Sequence, residues 1–187
     1  MKTYKIEIEK PRLNIRYDKF AENPRNFNET LGYWIVISSR HISPDNNEIL
    51  SNIIENTQYG CKNVEEHKEK IKRVIKEEME ETVIYINEVS MYCHSGCHYK
   101  LGNIQGWDWS MNGFYIITDK TLKEYKKFIN PDIMKEDFEK TIENEIETYN
   151  KWLNNEYLAW ELYNENGKMI DSGGGYKDLE EIKAEAR

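Results

Sequence analysis

Hydrophobic and polar residues follow a two-residue period in several parts of the chain. Residues Thr3 to Glu9 alternate strictly, which predicts a half-buried strand. The run Leu31–Ser38 is apolar on both sides and predicts a central strand. Thr82–Tyr92 and Gly113–Thr118 are also apolar and predict two more strands. The dipeptide Asn166-Gly167 lies between apolar runs and predicts a β-hairpin.

Other segments follow a 3.6-residue period and predict helices. Five N-terminal signals start them, at Asp45 or Asn46, Asn63, Thr118 or Asp119, Asn130-Pro131 and Asp178. The longest predicted helix follows Pro131 and carries one apolar stripe of Phe138, Ile142, Ile146, Tyr149, Trp152 and Leu153. Three segments fit neither period. Arg12–Thr30 predicts a long loop, Cys93–Ser110 is the least regular region, and Gly173–Gly175 predicts a flexible turn.

About six predicted strands do not alternate strictly with the four or five predicted helices. This order favours an α+β fold, with a mixed or mainly antiparallel sheet of about five or six strands and helices packed on one face. The length of 187 residues suits a single domain over residues 1–187. An aromatic content of 12% argues against a disordered chain.

The charge balance limits the classes of partner. With 34 acidic and 26 basic residues the formal net charge is −8, which disfavours binding to a phosphate backbone. The same charge permits a basic protein partner, although it also fits a role in solubility alone. Neither a signal peptide nor a membrane span is predicted, and the three cysteines favour the reducing cytoplasm of a host cell over a disulfide framework.

The segment Cys93-His94-Ser95-Gly96-Cys97-His98 places four potential zinc ligands close together. A structural zinc site normally uses two separated pairs, so Cys61, His67 or His41 would have to complete it. A thiol nucleophile paired with a histidine is a second interpretation. The third is a glycine-containing turn after a strand, with two partly buried thiols.

The segment Gly106-Trp107-Asp108-Trp109-Ser110 is a candidate binding surface. If it is extended, the side chains of Trp107 and Trp109 point the same way and form an aromatic platform for a partner. The alternative is that the two indoles cover the core while Asp108 caps a turn. We expect at least one of the two in the core.

The long predicted helix is strongly acidic between residues 136 and 147. Six acids face a single base, Lys140, and they are Glu136, Asp137, Glu139, Glu143, Glu145 and Glu147. An outer face of this kind is usually only solvated, but it can also imitate a row of phosphates and dock into a basic groove. The Gly173–Gly175 triplet lacks the lysine and the context of a phosphate loop. Because no catalytic motif stands out, neither enzymatic activity nor a cofactor or metal is predicted.

Several short motifs together resemble a family of small acidic proteins from phages and mobile elements of Firmicutes. In chain order they are Glu22-Asn23-Pro24-Arg25, Asn28-Glu29-Thr30-Leu31-Gly32, His94-Ser95-Gly96, Gly106-Trp107-Asp108, Gly113-Phe114-Tyr115-Ile116, Glu145-Ile146-Glu147-Thr148-Tyr149 and Asp171-Ser172-Gly173. The chain departs from the family at Cys93, where relatives carry Asp, and at Gly173–Tyr176, where they carry Cys-Trp-Gly-Phe-Tyr.

Proteins of this kind are similar to phage anti-CRISPR inhibitors. The resemblance implies a counter-defence protein that binds Cas9, with or without its guide RNA, and obstructs DNA engagement or cleavage without binding nucleic acid itself. The residues expected to contact the partner are Trp107, Asp108, Trp109, Glu136, Glu139, Glu143 and Glu147. The alternatives are an inhibitor of another defence nuclease, such as a restriction enzyme, and a zinc- or thiol-dependent enzyme at Cys93–His98.

Overall fold

The structure is a computed structural model that describes residues 12–27, 29–37, 43–94 and 96–185. The strand predicted for residues 3–9 lies outside this part of the chain. The described residues form seven strands: β1 Arg12–Tyr17, β2 Tyr33–Val36, β3 Val83–Cys93, β4 Cys97–Leu101, β5 Trp109–Thr118, β6 Leu158–Tyr163 and β7 Met169–Tyr176. They also form five α-helices: α1 Glu48–Gln58, α2 Val64–Met79, α3 Asp119–Phe128, α4 Phe138–Leu153 and α5 Leu179–Glu185.

The chain divides into two compact units. The larger unit is Asn23–Asn150, and the smaller unit combines Met1–Glu22 with Lys151–Arg187, of which 12–22 and 151–185 are described. The expectation of a single domain stays a prediction. The larger unit contains a four-stranded antiparallel sheet in the order β2-β5-β3-β4, and the smaller contains a three-stranded antiparallel sheet in the order β1-β6-β7. The predicted α+β class with an antiparallel sheet is confirmed.

Helices cover both faces of the four-stranded sheet, because its central strands are apolar on both sides. One face packs against α1 and α2 around a buried cluster of Ile35, Leu50, Ile53, Ile54, Ile71, Ile75, Phe114 and Ile116. Residues that alternate with these point to the opposite face. There the ring of Trp34 lies 5.0 Å from that of Tyr149 on α4 and 5.0 Å from that of Tyr99 on β4.

Helix α4 runs alongside β3 on this second face. Near its start, the ring of Phe138 lies 6.2 Å from that of Tyr85, at the beginning of β3. Towards its end, the side-chain amide of Asn150 exchanges two hydrogen bonds with the backbone of Tyr99, which pairs with Met91 late in β3. The helix therefore has the same direction as the strand, and its outer side faces away from the sheet.

Side chains at the helix starts fix several of these elements. Asn47, Asn63 and Thr118 each accept a hydrogen bond from a backbone N–H in the first turn of α1, α2 and α3. The predicted caps Asn63 and Thr118 are confirmed. For α1 the cap is Asn47, and the prediction of Asp45 or Asn46 is wrong because the carboxylate of Asp45 is used in a buried ion pair.

Strand β1 corrects the prediction that Arg12–Thr30 is entirely loop. Its apolar residues alternate, but they remain 44 to 64% exposed, so the segment resembles a polar loop in composition. What makes it a strand is antiparallel pairing with β6, from Arg12 opposite Tyr163 to Tyr17 opposite Leu158.

The predicted Asn166-Gly167 turn joins β6 to β7, with Gly167 at φ 72°. The glycine triplet is part of β7, so the prediction of a flexible turn is wrong. A Cβ at Gly173 would contact the rings of Trp160 and Tyr176, which explains why a residue without a side chain is needed there. The N–H of Gly175 donates to Asp18, at 2.8 Å.

The start of α4 also differs from its prediction. Asn130 and Pro131 begin a turn in which the side chain of Asn130 accepts from the N–H of Asp132. The α-helix begins only at Phe138, after a short 3-10 turn over Lys135–Asp137.

Candidate partner-binding surface

The segment around Cys93 forms a tight hairpin between β3 and β4. Cys93 pairs with Cys97 across the two strands, and their sulfurs form a disulfide with the Cα atoms 4.3 Å apart. The glycine-containing turn expected after a strand agrees with this hairpin, whereas the expectation of two partly buried thiols is wrong. Antiparallel pairing places Cys93 opposite Cys97 and so brings the two side chains together.

The segment with the two tryptophans lies directly beside this hairpin. Trp109 pairs with Tyr92 in the sheet, and their ring centroids are 5.6 Å apart. Nδ1 of His94 lies 3.6 Å from a carboxylate oxygen of Asp108. Two motifs singled out separately in the sequence thus meet at one end of the sheet. We call Tyr92, His94, Asp108, Trp109 and the disulfide the hairpin-tip cluster.

The two tryptophans do not point the same way, because the segment is not extended. Asp108 has φ 65° in a turn, which changes the chain direction between the two indoles. Trp107 is 89% exposed, whereas Trp109 is half-buried and packs under the ammonium group of Lys100 at 5.6 Å. The prediction that the two indoles point the same way and form a platform is therefore wrong. In this segment Trp107 alone is an exposed aromatic residue.

The acidic residues of α4 form a row on its outer side. Glu139, Glu143 and Glu147 are exposed and four residues apart, so they lie on one stripe of the helix, with exposed Glu136 just before it. We call these four residues the acidic strip. Glu139 accepts a hydrogen bond from the hydroxyl of Tyr85 at 3.2 Å.

Three of the four residues in the acidic strip form no ion pair within the described residues. In the part of the chain that the structure describes, no lysine or arginine forms an ion pair with Glu136, Glu139 or Glu143. Burial raises the pKa of Tyr85 to about 12; the hydrogen bond from Asn87 opposes this increase, and the negative charges of Glu139 and Glu143 add to it. The local field around this stretch of α4 is therefore negative.

Glu145 is one of the six acids between residues 136 and 147, but it does not belong to this row. Its carboxylate points inwards and accepts from the Arg25 guanidinium at 2.5 Å, the Tyr115 hydroxyl at 2.5 Å and the Leu31 N–H at 2.8 Å. Burial raises the pKa of Glu145, although Arg25 and these hydrogen bonds lower it in part.

Arg25 is the centre of this buried network. Its side chain is only 1% exposed, and it forms two hydrogen bonds with Asp45, at 2.8 and 2.6 Å, and one with the Gly32 carbonyl at 2.8 Å. Burial lowers the pKa of Arg25, but Tyr115 and the two carboxylates outweigh this and raise it well above its usual value. The network holds the 23–32 segment against α4 and the sheet.

Sequence patterns gave no signal for the network. Arg25 and Asp45 lie in loops, where periodicity carries no information, and Glu145 is 120 residues from Arg25. Four of the motifs behind the family resemblance nevertheless meet here, since they contribute Arg25, Leu31, Tyr115 and Glu145. All its charged groups are paired with one another, so the network has a structural role.

The residues considered as zinc ligands lie in different places. His67 is buried between α1 and α2, where Nε2 is 3.1 Å from the carbonyl of Ile54, and Cys61 donates to the carbonyl of Thr57. His41 lies outside the described residues. Among the residues that are described, no group of three or more His, Cys, Asp and Glu side chains is arranged to hold a metal ion.

Comparison with protein-family models, with curated proteins and with solved structures finds no match to this chain. The described helices include none with the length and apolar character needed to cross a membrane.

Proposed function

We propose that the protein is a phage counter-defence protein that binds Cas9 through the acidic strip and so obstructs its engagement or cleavage of DNA. The observation that supports this proposal is the exposed row of Glu136, Glu139, Glu143 and Glu147. The first three of these form no ion pair with a lysine or arginine among the described residues. The choice of Cas9 comes from the family resemblance, and the charge supports a basic binding surface. The channel of Cas9 is positively charged because it holds nucleic acid backbones.

The geometry of the strip suits a nucleic-acid-binding groove. Residues four apart on an α-helix rise by about 6 Å, so the three regularly spaced carboxylates form a line of negative charge about 12 Å long. A rigid helix presents these charges at fixed positions, unlike an acidic tail. Such complementarity mainly accelerates encounter and fixes orientation.

Trp107, next to the hairpin-tip cluster, is a candidate anchor in the same unit. Trp107 is 89% exposed and adjoins Asp108 and the half-buried Trp109. An exposed tryptophan next to a rigid turn is typical of residues that contribute strongly to protein–protein binding. In this proposal Trp107 enters a pocket of the partner while the acidic strip contacts basic side chains.

The test is a triple charge reversal, Glu139→Lys with Glu143→Lys and Glu147→Lys. An exposed ion pair contributes about 0.5 kcal/mol, and reversal replaces attraction with similar repulsion, so three reversals remove about 3 kcal/mol of binding free energy. This corresponds to roughly a 100-fold weaker complex. Inhibition of DNA cleavage and affinity for the Cas9–guide RNA complex are measured with purified components.

The matched control changes the same number of charges elsewhere. Glu55, Glu69 and Glu77 are exposed on α1 and α2, which cover the opposite face of the sheet. The triple variant Glu55→Lys, Glu69→Lys and Glu77→Lys should inhibit like the unmodified protein. If both triple variants lose inhibition equally, net charge alone is responsible. If the α4 variant inhibits normally, the proposed surface is wrong.

The identity of the nuclease has its own test. Tagged protein is incubated with lysate of a host that carries both a Cas9 system and a restriction system, and the captured proteins are identified. We expect Cas9, and capture should fail with the α4 triple variant. Reproducible capture of a restriction enzyme instead would assign the inhibitor to that system and contradict the choice of Cas9.

A further inference from the structure

Part of strand β3 has a free edge among the residues that the structure describes. On one side β3 pairs with β5 along nearly its whole length. On the other side β4 pairs only with Ser90–Cys93, and Gly102 extends the contact to Glu88. The first half of β3 therefore continues past its neighbour.

The free edge presents main-chain hydrogen-bonding groups. The carbonyl of Glu88 points to this side, because it accepts from the N–H of Gly102 at 2.7 Å. Alternation along a strand directs the N–H and C=O of Ile86 to the same side. The Asn87 side chain already accepts from the N–H of Glu88. Within the described residues, no side chain forms a hydrogen bond of this kind with the N–H or C=O of Ile86.

The side chains next to this edge differ in character on the two faces of the sheet. On the α4 face, Tyr85 donates to Glu139, and Glu143 lies close enough to affect the same hydroxyl. On the other face, Ile84 is 39% exposed at an irregularity in the pairing with β5. The edge thus combines open main-chain groups, two carboxylates and one exposed apolar side chain.

We propose that this edge of β3 binds an extended segment of the partner by strand addition, and that the segment alternates basic and apolar side chains. The inference rests on the proposed function, since it specifies how the partner meets the acidic strip. Main-chain hydrogen bonds to Ile86 hold the segment, as in other complexes formed by strand addition. Its lysines or arginines then lie over Glu139 and Glu143, and its apolar residues cover Ile84.

The test uses a short peptide as the probe, an alternating lysine–valine sequence of about seven residues with a fluorescent label. We expect saturable binding in fluorescence anisotropy and a slowing of at least about tenfold in hydrogen exchange at the Ile86 amide. An alternating glutamate–valine peptide should bind at least about tenfold more weakly. A lysine–valine peptide methylated on every backbone nitrogen should also lose binding, because neither of its edges retains an N–H donor.

Two variants test the edge within the protein. Ile84→Lys adds a charge to the edge and should weaken binding of the lysine–valine peptide at least about tenfold, since edge lysines oppose strand addition. The matched control, Ile49→Lys, alters another exposed isoleucine on α1 and should bind normally. Unchanged exchange at Ile86 in the presence of bound peptide, or equal binding of the methylated peptide, would overturn strand addition.

Nuclease inhibition separates this inference from the proposed function. Ile84→Lys should weaken inhibition of Cas9, whereas Ile49→Lys should not. If Ile84→Lys inhibits fully while the α4 triple reversal does not, strand addition is wrong and the acidic surface stands. If the triple reversal also inhibits fully, the proposed surface fails as well.

Discussion

Replacing Arg25 with methionine removes the cation that Asp45 and Glu145 share inside the larger unit. The guanidinium makes four hydrogen bonds, three of them to these two carboxylates. Methionine fills a similar volume but leaves two buried negative charges without a counter-charge. Removing one partner of a buried ion pair destabilises a protein by about 3–5 kcal/mol.

Neighbouring donors moderate this loss. The Asp45 carboxylate still accepts a hydrogen bond from the N–H of Trp34. The Glu145 carboxylate still accepts hydrogen bonds from the Tyr115 hydroxyl and the Leu31 N–H. We therefore expect Arg25→Met to lower the free energy of unfolding by about 4 kcal/mol. For a chain of this size, the melting temperature should fall by about 10 °C. Urea unfolding followed by circular dichroism and by tryptophan fluorescence measures the change.

Two further variants distinguish the network from a general effect of losing arginine. Arg73 is exposed, and its ion pair with Glu77 is long, at 3.9 Å. Arg73→Met should therefore change the free energy of unfolding by less than about 0.5 kcal/mol. Arg25→Lys keeps the charge but loses the planar fork, and we expect a loss of about 2 kcal/mol. A loss below about 1 kcal/mol for Arg25→Met would refute the reasoning, because two unpaired buried carboxylates cannot be that well tolerated.

Two other predictions concern the core of the larger unit. Burial lowers the pKa of His67, so the unfolded chain takes up a proton first as pH falls below about 6.5. Between pH 7 and 5, the free energy of unfolding of the unmodified protein should fall by up to about 1.4 kcal/mol per pH unit more than that of His67→Gln. The control His98→Gln changes an exposed histidine and should show the same pH dependence of stability as the unmodified protein. If His67→Gln also shows that same pH dependence, the assignment to His67 is wrong. A Cβ on Gly113 would overlap the Ile35 carbonyl oxygen, so Gly113→Ala should lose about 3 kcal/mol in urea unfolding. A Cβ on Gly60, at φ 78°, would have no atom within 4 Å, so Gly60→Ala should lower the free energy of unfolding by only about 1 kcal/mol. Equal losses in the two variants would exclude the steric explanation for Gly113.

Local signals in the sequence predicted the regular core well. The 3.6-residue period after Asn63 predicted α2, and the apolar runs predicted β3 and β5, because each pattern is contained in a short segment. Strand β1 escaped prediction because its apolar residues stay exposed and only pairing with β6 defines it. Strand β4 has only five residues and likewise depends on its neighbour.

The candidate surface was predictable only in part. Spacing on a helix was enough to place Glu139, Glu143 and Glu147 on one outer stripe. Glu145 was counted among the six acids of this helix, and its buried partner could not be foreseen because nothing local indicates an arginine 120 residues earlier in the chain. The contact between His94 and Asp108 also required the sheet register, which a single sequence does not provide.

We propose that the protein acts by charge-guided binding to a basic nuclease surface. The most direct measurement is the association rate of the unmodified protein with immobilised Cas9–guide RNA complex, from about 50 to about 500 mM salt. We predict a stable complex whose association rate falls at least about tenfold over this range while its dissociation rate changes little. The absence of any complex at low salt, or an association rate independent of salt, would contradict the account.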